Sequence, residues 1–72
     1  MKQDKLGSRV RRIRQEHGLS QDAVALSARV DQSGYSKFER GQRRYGDELL
    51  ARIAEVLGTT LEDLVDGTDH SR

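Results

Sequence analysis

The sequence contains no cysteine, only three aromatic residues and no long apolar run. Without thiols, neither a disulfide nor a thiolate metal site can stabilise the fold. The absence of about 18 consecutive apolar residues argues against a membrane-spanning helix, and no basic start followed by an apolar segment indicates export. The sequence therefore predicts a cytoplasmic protein that does not enter a membrane.

The sequence also lacks the residue patterns of common catalytic and cofactor sites. It has no glycine-rich phosphate loop and no cluster with metal-ligand spacing, and neither His17 nor His70 belongs to a motif with a nucleophile or carboxylate. We expect neither an enzyme nor a bound cofactor or metal ion. The few aromatic residues offer no platform for unstacked bases, which disfavours single-stranded RNA as the ligand.

A chain of 72 residues is long enough for one small domain. A single core of that size supplies about 3 to 5 kcal/mol of net stability. Because no disulfide or metal ion adds to it, the fold must rely on compact helix packing or on a partner subunit. Size alone therefore makes a dimer plausible.

The formal net charge of +1 hides an uneven distribution of charge along the chain. Residues 1–45 carry 11 Lys and Arg against 5 Asp and Glu, a net charge of +6. Residues 46–72 carry 2 against 7, a net charge of −5. This asymmetry predicts one surface for a polyanion such as nucleic acid and another surface with a different role.

Apolar residues recur at helical spacing in five segments, which predicts an all-α domain built as a compact five-helix bundle. We expect residues 1–5 to be a flexible N-terminus, residues 6–67 the folded domain and residues 68–72 a disordered tail. Thr59 and Glu62 have the spacing of a capping box at the start of the last short helix. The predicted core consists of Leu6, Val10, Ile13, Leu19, Val24, Ala25, Ala28, Val30, Tyr35, Phe38, Leu50, Ile53, Ala54, Leu57, Leu61 and Leu64.

The segment at residues 20–41 predicts two short helices joined by a tight turn. Ser20 and Asp31 are each well placed to cap one of these helices. Helices so close in sequence cross at a steep angle, and the second then projects from the surface with one face free. That face carries polar side chains suited to base edges and phosphates: Gln32, Ser33, Ser36 and Lys37.

These motifs resemble the phage-repressor and Cro family of helix-turn-helix proteins, often called the Xre family. The resemblance covers residues 6–65 and rests on Gly-Leu-Ser-Gln at residues 18–21 combined with Glu-Arg-Gly at residues 39–41. It implies a lambda repressor-like DNA-binding domain and a role as a transcriptional regulator, in particular a repressor. It also implies a structural ion pair between Arg14 of the first helix and Glu39 of the third.

The resemblance implies that the helix at residues 32–40 enters the major groove of double-stranded DNA. Gln32, Ser33 and Lys37 are the predicted base contacts, because glutamine pairs with adenine, lysine with guanine and serine with either. One helix reads too few base pairs for a specific site, so we expect a homodimer, joined through the acidic C-terminal helix, on a pseudo-palindromic operator. The predicted phosphate contacts are Gln21, Ser36, Arg43 and Arg44.

Three residues between the second and fourth helices stand out. Arg29 occupies the turn position where the family usually has glycine, so the turn is either strained or takes another path. Gly34, inside the third helix, costs about 1 kcal/mol relative to alanine. It either permits close approach to DNA or is tolerated without function. Tyr45 is predicted to pack over the following loop.

A second function stays open at this point, namely an antitoxin-like or other protein-interaction module whose DNA binding is secondary. The usual antitoxin carries an added flexible inhibitory segment, and here only the short tail at residues 68–72 could serve. A neighbouring gene for a small toxin would favour this alternative over a regulator.

Overall fold

A computed structural model describes residues 3–66, with side chains from Lys5 onward. The predicted all-α domain is confirmed. The first helix begins at Gln3, before the predicted boundary at Leu6, because residues 3–5 are polar and a hydrophobic pattern cannot detect them. The predicted disordered tail, residues 68–72, lies outside the described residues. The five helices are α1 (Gln3–Glu16), α2 (Gln21–Ala28), α3 (Gln32–Glu39), α4 (Asp47–Val56) and α5 (Leu61–Asp66).

A side-chain cap begins α2, and another begins α3. The Ser20 hydroxyl accepts a hydrogen bond from the backbone N–H of Ala23 at 3.0 Å, and the Asp31 carboxylate accepts one from Gly34 at 3.0 Å. Both predicted caps are therefore confirmed. At α5 the prediction was wrong by one residue. The backbone N–H of Asp63 donates to Thr60 rather than to Thr59, whose own N–H is used in ending α4.

The turn between α2 and α3 contains a left-handed residue that is not glycine. Arg29 has φ 62° and ψ 45°. The N–H of Val30 donates to the Ala25 carbonyl at 2.9 Å and the N–H of Arg29 to the Leu26 carbonyl at 3.2 Å, which is a Schellman motif. The same pair of bonds ends α1, α3 and α4, with a glycine at the left-handed position each time. Of the two expectations for this turn, the structure shows the left-handed conformation, with its strain at Arg29.

A glycine at position 29 should relieve that strain. We expect Arg29→Gly to raise the free energy of unfolding by about 0.5 to 1 kcal/mol, the difference between left-handed strain and the extra backbone entropy of glycine. Urea unfolding followed by circular dichroism measures it as a higher midpoint with an unchanged slope. Gly18→Ala is the matched control. Its φ is +70° with open space around the site, so it should lose stability, and an Arg29→Gly loss would contradict the strain argument.

The core fills the space enclosed by the five helices. Most of the predicted core is buried, but Ile13, Leu19, Val30 and Leu61 are only partly buried at its edge. Tyr45 packs over its loop as predicted and is also part of the core, since its ring stacks on Phe38 with centroids 4.9 Å apart. The buried apolar residues are Leu6, Val10, Val24, Ala25, Ala28, Tyr35, Phe38, Tyr45, Leu50, Ile53, Ala54, Leu57 and Leu64.

α1 and α3 cross in direct backbone contact at Gly7. A Cβ atom at this position would overlap the carbonyl oxygen of Phe38 and lie 2.9 Å from that of Glu39. Real Cβ atoms do not approach other atoms so closely. Because both neighbours are backbone atoms, they cannot move aside as a side chain can. The missing side chain therefore sets the distance between α1 and the end of α3.

Adding one methyl group at the crossing should force the two helices apart. We expect Gly7→Ala to lower the free energy of unfolding by about 3 kcal/mol or more, a large part of the stability of so small a domain. Thermal and urea unfolding measure the loss. In Gly46→Ala the new Cβ meets no atom within 4 Å, so that control should change stability by less than about 1 kcal/mol. Similar losses of stability in Gly7→Ala and Gly46→Ala would mean that the loss at Gly7 does not come from overlap with the α3 backbone.

Candidate nucleic-acid interface

α3 has one buried face and one exposed face. Tyr35, Phe38 and Glu39 are buried. The predicted base contacts Gln32, Ser33 and Lys37 are all exposed, and none of the three makes a side-chain hydrogen bond within the part of the chain that the structure describes. Their donors and acceptors are therefore available to a ligand.

A buried ion pair holds the end of α3 against α1. Arg14 Nε donates to Glu39 Oε2 at 2.7 Å and Arg14 Nη2 to Oε1 at 3.1 Å, a two-point contact. Arg14 Nη1 donates to the Leu19 carbonyl at 2.8 Å, and Gln21 Nε2 donates to Glu39 Oε1 at 2.9 Å. The predicted pair is present, and it also reaches the turn after α1 and the start of α2.

The pair changes the proton affinities of the buried groups around it. Burial by itself raises the pKa of Glu39, but the polar side chains around the carboxylate, Arg14 above all, outweigh burial and hold the pKa below its usual value. The hydrogen bond to Glu39 raises the pKa of Arg14. Both groups thus stay charged. The Tyr35 hydroxyl is buried next to them without a hydrogen-bond partner among the described residues, and burial raises its pKa.

Two of the predicted phosphate contacts share one surface cleft. It has a volume of about 180 Å³ and lies where α1, α2 and α3 meet. Gln21 uses one amide N–H on Glu39, so one N–H remains for a ligand. Ser36 accepts a hydrogen bond from Arg40 Nη1 at 2.9 Å and keeps its own O–H. The cleft is lined by Arg11, Gln21, Ser36, Glu39 and Arg40.

Arg40 and Arg11 were not among the predicted site residues. Arg40 is exposed beside the cleft, and its spacing of four residues from Ser36 was the signal that could have placed the two side chains together. Arg11 lies on α1, and no local pattern relates it to α3. Only the packing of α1 against α3 brings its charge to the cleft.

The loop between α3 and α4 holds one of its two arginines against α3. The Arg43 guanidinium carbon lies 5.7 Å from the centroid of the Tyr45 ring. A Cβ atom on Gly34 would lie 3.3 Å from Arg43 Nε and 3.4 Å from Arg43 Cδ. Arg44, the other predicted phosphate contact of this loop, is exposed. The loop thus carries two exposed arginines, and Arg43 is the one whose side chain lies against the first turn of α3.

Two other arginines act within the fold. Arg9 Nη1 donates to the Leu64 carbonyl at 2.6 Å and so joins α1 to the end of α5. Arg52 Nε donates to the Ala28 carbonyl at 2.9 Å, at the end of α2 before the left-handed turn. Guanidinium groups at helix C-termini satisfy carbonyls that have no partner within the helix. These side chains are structural even though their charges count toward the totals along the chain.

Neutralising Glu39 should leave Arg14 buried without a counter-charge. We expect Glu39→Gln to lower the free energy of unfolding by about 3 kcal/mol near pH 7. Since folding lowers the pKa of Glu39, the stabilisation is present above the unfolded pKa and is lost as pH falls through the folded one. The difference between wild type and variant should therefore shrink below about pH 4. Urea unfolding across pH measures it, with Glu55→Gln on the exposed face of α4 as control.

A difference between wild type and Glu39→Gln that stays constant from neutral to acid pH would contradict this account. It would mean that the stability of the variant depends on the shape of the glutamine side chain and not on the lost charge.

Comparison with known proteins places the chain in a family. Residues 10–64 match the helix-turn-helix family. The HTH-type transcriptional regulator DdrOP3 of Deinococcus deserti is 35% identical over 65 residues, which cover 90% of this chain and 50% of that protein, so the chain spans half the length of this relative.

Two solved structures have a similar fold. The clp gene regulator ClgR from Corynebacterium glutamicum has a TM-score of 0.85 and 30% identity, over 89% of this chain and 68% of that one. The restriction-modification controller protein C.AhdI from Aeromonas hydrophila has a TM-score of 0.82 and 32% identity, over 86% and 94%. Within the described residues, no helix combines the length and apolar character needed to cross a bilayer. The chain therefore belongs to the helix-turn-helix family of Xre and Cro type, a family of DNA-binding transcriptional regulators and not of enzymes.

Proposed function

We propose that this protein represses transcription in the cytoplasm by binding a specific operator as a homodimer, with α3 as the recognition helix in the major groove. The observation that carries the proposal is the division of α3 into two faces. Its apolar side and Glu39 are buried, whereas Gln32, Ser33 and Lys37 are exposed with unpaired polar groups. A helix held in this way presents hydrogen-bonding side chains to base edges.

The base contacts follow from the chemistry of the exposed residues. Gln32 is the first residue of α3, and its side-chain amide can pair with adenine by accepting a hydrogen bond through its oxygen and donating one through its nitrogen. Lys37 lies farther along the helix and can donate to the O6 and N7 acceptors of guanine. Ser33 can donate to or accept from a base. The residues nearest the N-terminus of a recognition helix are the ones that usually reach the bases.

The phosphate contacts surround this face. Gln21 retains one amide N–H next to the free backbone amides that begin α2, and Ser36 retains its hydroxyl proton. Arg43 and Arg44 supply charged donors from the following loop. Contacts of this kind fix the position of the helix on the duplex without reading sequence.

The dimer would form through α5. Leu61 and Val65 are only partly buried within one chain, so each leaves apolar surface that a second copy could cover. The acidic residues of the same helix, Glu62, Asp63 and Asp66, disfavour its approach to phosphates. A two-fold dimer would place two α3 helices about 34 Å apart, one turn of the duplex.

Selection of binding sites from random duplex DNA tests the proposal. Wild type should enrich a pseudo-palindrome, and Lys37→Ala should relax the preference at one position of each half-site. Arg12→Ala removes an exposed cation from α1 and serves as the control, since loss of a cation outside α3 should weaken binding equally across sequences or not at all.

One outcome of the selection would contradict the proposal. If wild type enriches no sequence and its binding simply fades as salt is raised, then the contact is electrostatic only. The proposal of a sequence-specific repressor would then fail, and capture of a protein partner would become the leading explanation of the fold.

A further inference from the structure

The third helix contains a glycine whose missing side chain is replaced by an arginine from the next loop. Gly34 lies in the first turn of α3, is buried and has an ordinary helical backbone. The three heavy atoms nearest to the position of a Cβ atom there all belong to Arg43: Nε at 3.3 Å, Cδ at 3.4 Å and Cζ at 3.4 Å. An alanine methyl group would therefore require the guanidinium to move by a few tenths of an ångström.

The position of Arg43 is restricted by a ring as well. Its guanidinium carbon lies 5.7 Å from the centroid of the Tyr45 ring, within the range of a cation–π contact. Tyr45 is itself fixed, because it is buried and stacks on Phe38 of α3. Arg43 is thus packed between the backbone of the recognition helix and a ring that belongs to the core.

The hydrogen-bonding edge of Arg43 is left open by this packing. No side-chain hydrogen bond or ion pair of Arg43 is found among residues 5–66. A guanidinium carries five N–H donors in one plane, in a geometry that matches the oxygen atoms of a phosphate. A side chain that already contacts a helix on one side and a ring on the other loses less conformational entropy when its free donors bind a ligand.

We infer that Gly34 is a positioning residue for DNA binding: by carrying no side chain, it holds Arg43 beside the first turn of α3 with its donor edge open to a DNA phosphate. The inference rests on the proposed function, since it takes α3 to be the helix that contacts DNA. Arg43 makes the contact and Gly34 acts through it. The glycine is buried beneath Arg43, so close approach of DNA to the bare helix backbone does not account for it.

A double-mutant cycle between positions 34 and 43 tests this inference. The affinity for the duplex selected by wild type is measured by fluorescence anisotropy at several salt concentrations for wild type, Gly34→Ala, Arg43→Gln and the double variant. Arg43→Gln should weaken binding about tenfold and lower the slope of log affinity against log salt by about 1. Gly34→Ala should weaken binding about threefold, and the double variant should bind as Arg43→Gln alone.

Arg44 provides the matched control. Arg44→Gln removes the neighbouring exposed guanidinium, whose atoms are not among the three nearest to the Cβ position of Gly34. The fold-losses of affinity in Arg44→Gln and Gly34→Ala should therefore multiply in the double variant. Thermal unfolding separates binding from stability. Alanine is the better helix former, so Gly34→Ala should melt no lower than wild type and up to about 4 °C higher. A variant that is at least as stable yet binds DNA less tightly is the signature of a positioning role.

Two results would overturn the inference. One is a Gly34→Ala variant that binds with wild-type affinity and salt dependence. The other is a full additional loss from Gly34→Ala when Arg43 is already glutamine, which would mean that the methyl group meets the DNA itself. Neither result bears on the proposed function, which fails instead if wild type selects no duplex at all.

Discussion

The buried pair of Arg14 and Glu39 is the interaction on which the placement of α3 depends. Its guanidinium and carboxylate also engage the Leu19 carbonyl and the Gln21 side chain, so a single pair joins α1, the turn after it, α2 and α3. A buried charge is costly unless its partner and hydrogen bonds are all in place. Few arrangements of the three helices meet that condition. The pair therefore defines the geometry of the three helices more than it adds stability.

Some arginines of this small domain bond within the fold and others are exposed near α3. The net charge of a segment counts both kinds alike. Arg9, Arg14 and Arg52 each donate to groups within the fold, where they join helices that are far apart in sequence. Arg43 lies against Gly34 of α3, and Arg44 is exposed in the same loop. The net charge of residues 1–45 thus overstates the charge offered to DNA. A guanidinium suits both uses, because it is planar, always charged and rich in donors.

The parts of the structure that sequence could predict depend on short-range patterns. Apolar periodicity located five helices, the caps Ser20 and Asp31 follow from local backbone chemistry, and the family motifs identified the Arg14–Glu39 pair. The parts that were missed depend on contacts between distant segments. The crossing at Gly7 and the packing of Arg43 on Gly34 cannot be found by local pattern, because a glycine inside a helix looks the same whether or not another segment occupies the space.

Glycine inside a helix costs about 1 kcal/mol relative to alanine, and a domain of this size has only about 3 to 5 kcal/mol in total. Gly7 and Gly34 together therefore take a substantial share of the stability available. The backbone of α3 occupies the space left at Gly7, and the side chain of Arg43 occupies the space left at Gly34. At Gly7 the contact is needed for folding, since the opposing atoms are fixed carbonyl groups. At Gly34 the opposing atoms belong to a flexible side chain that could move away, so the fold alone does not require glycine there. Under the proposal made above, glycine is needed at position 34 for the contact that Arg43 makes and not for folding.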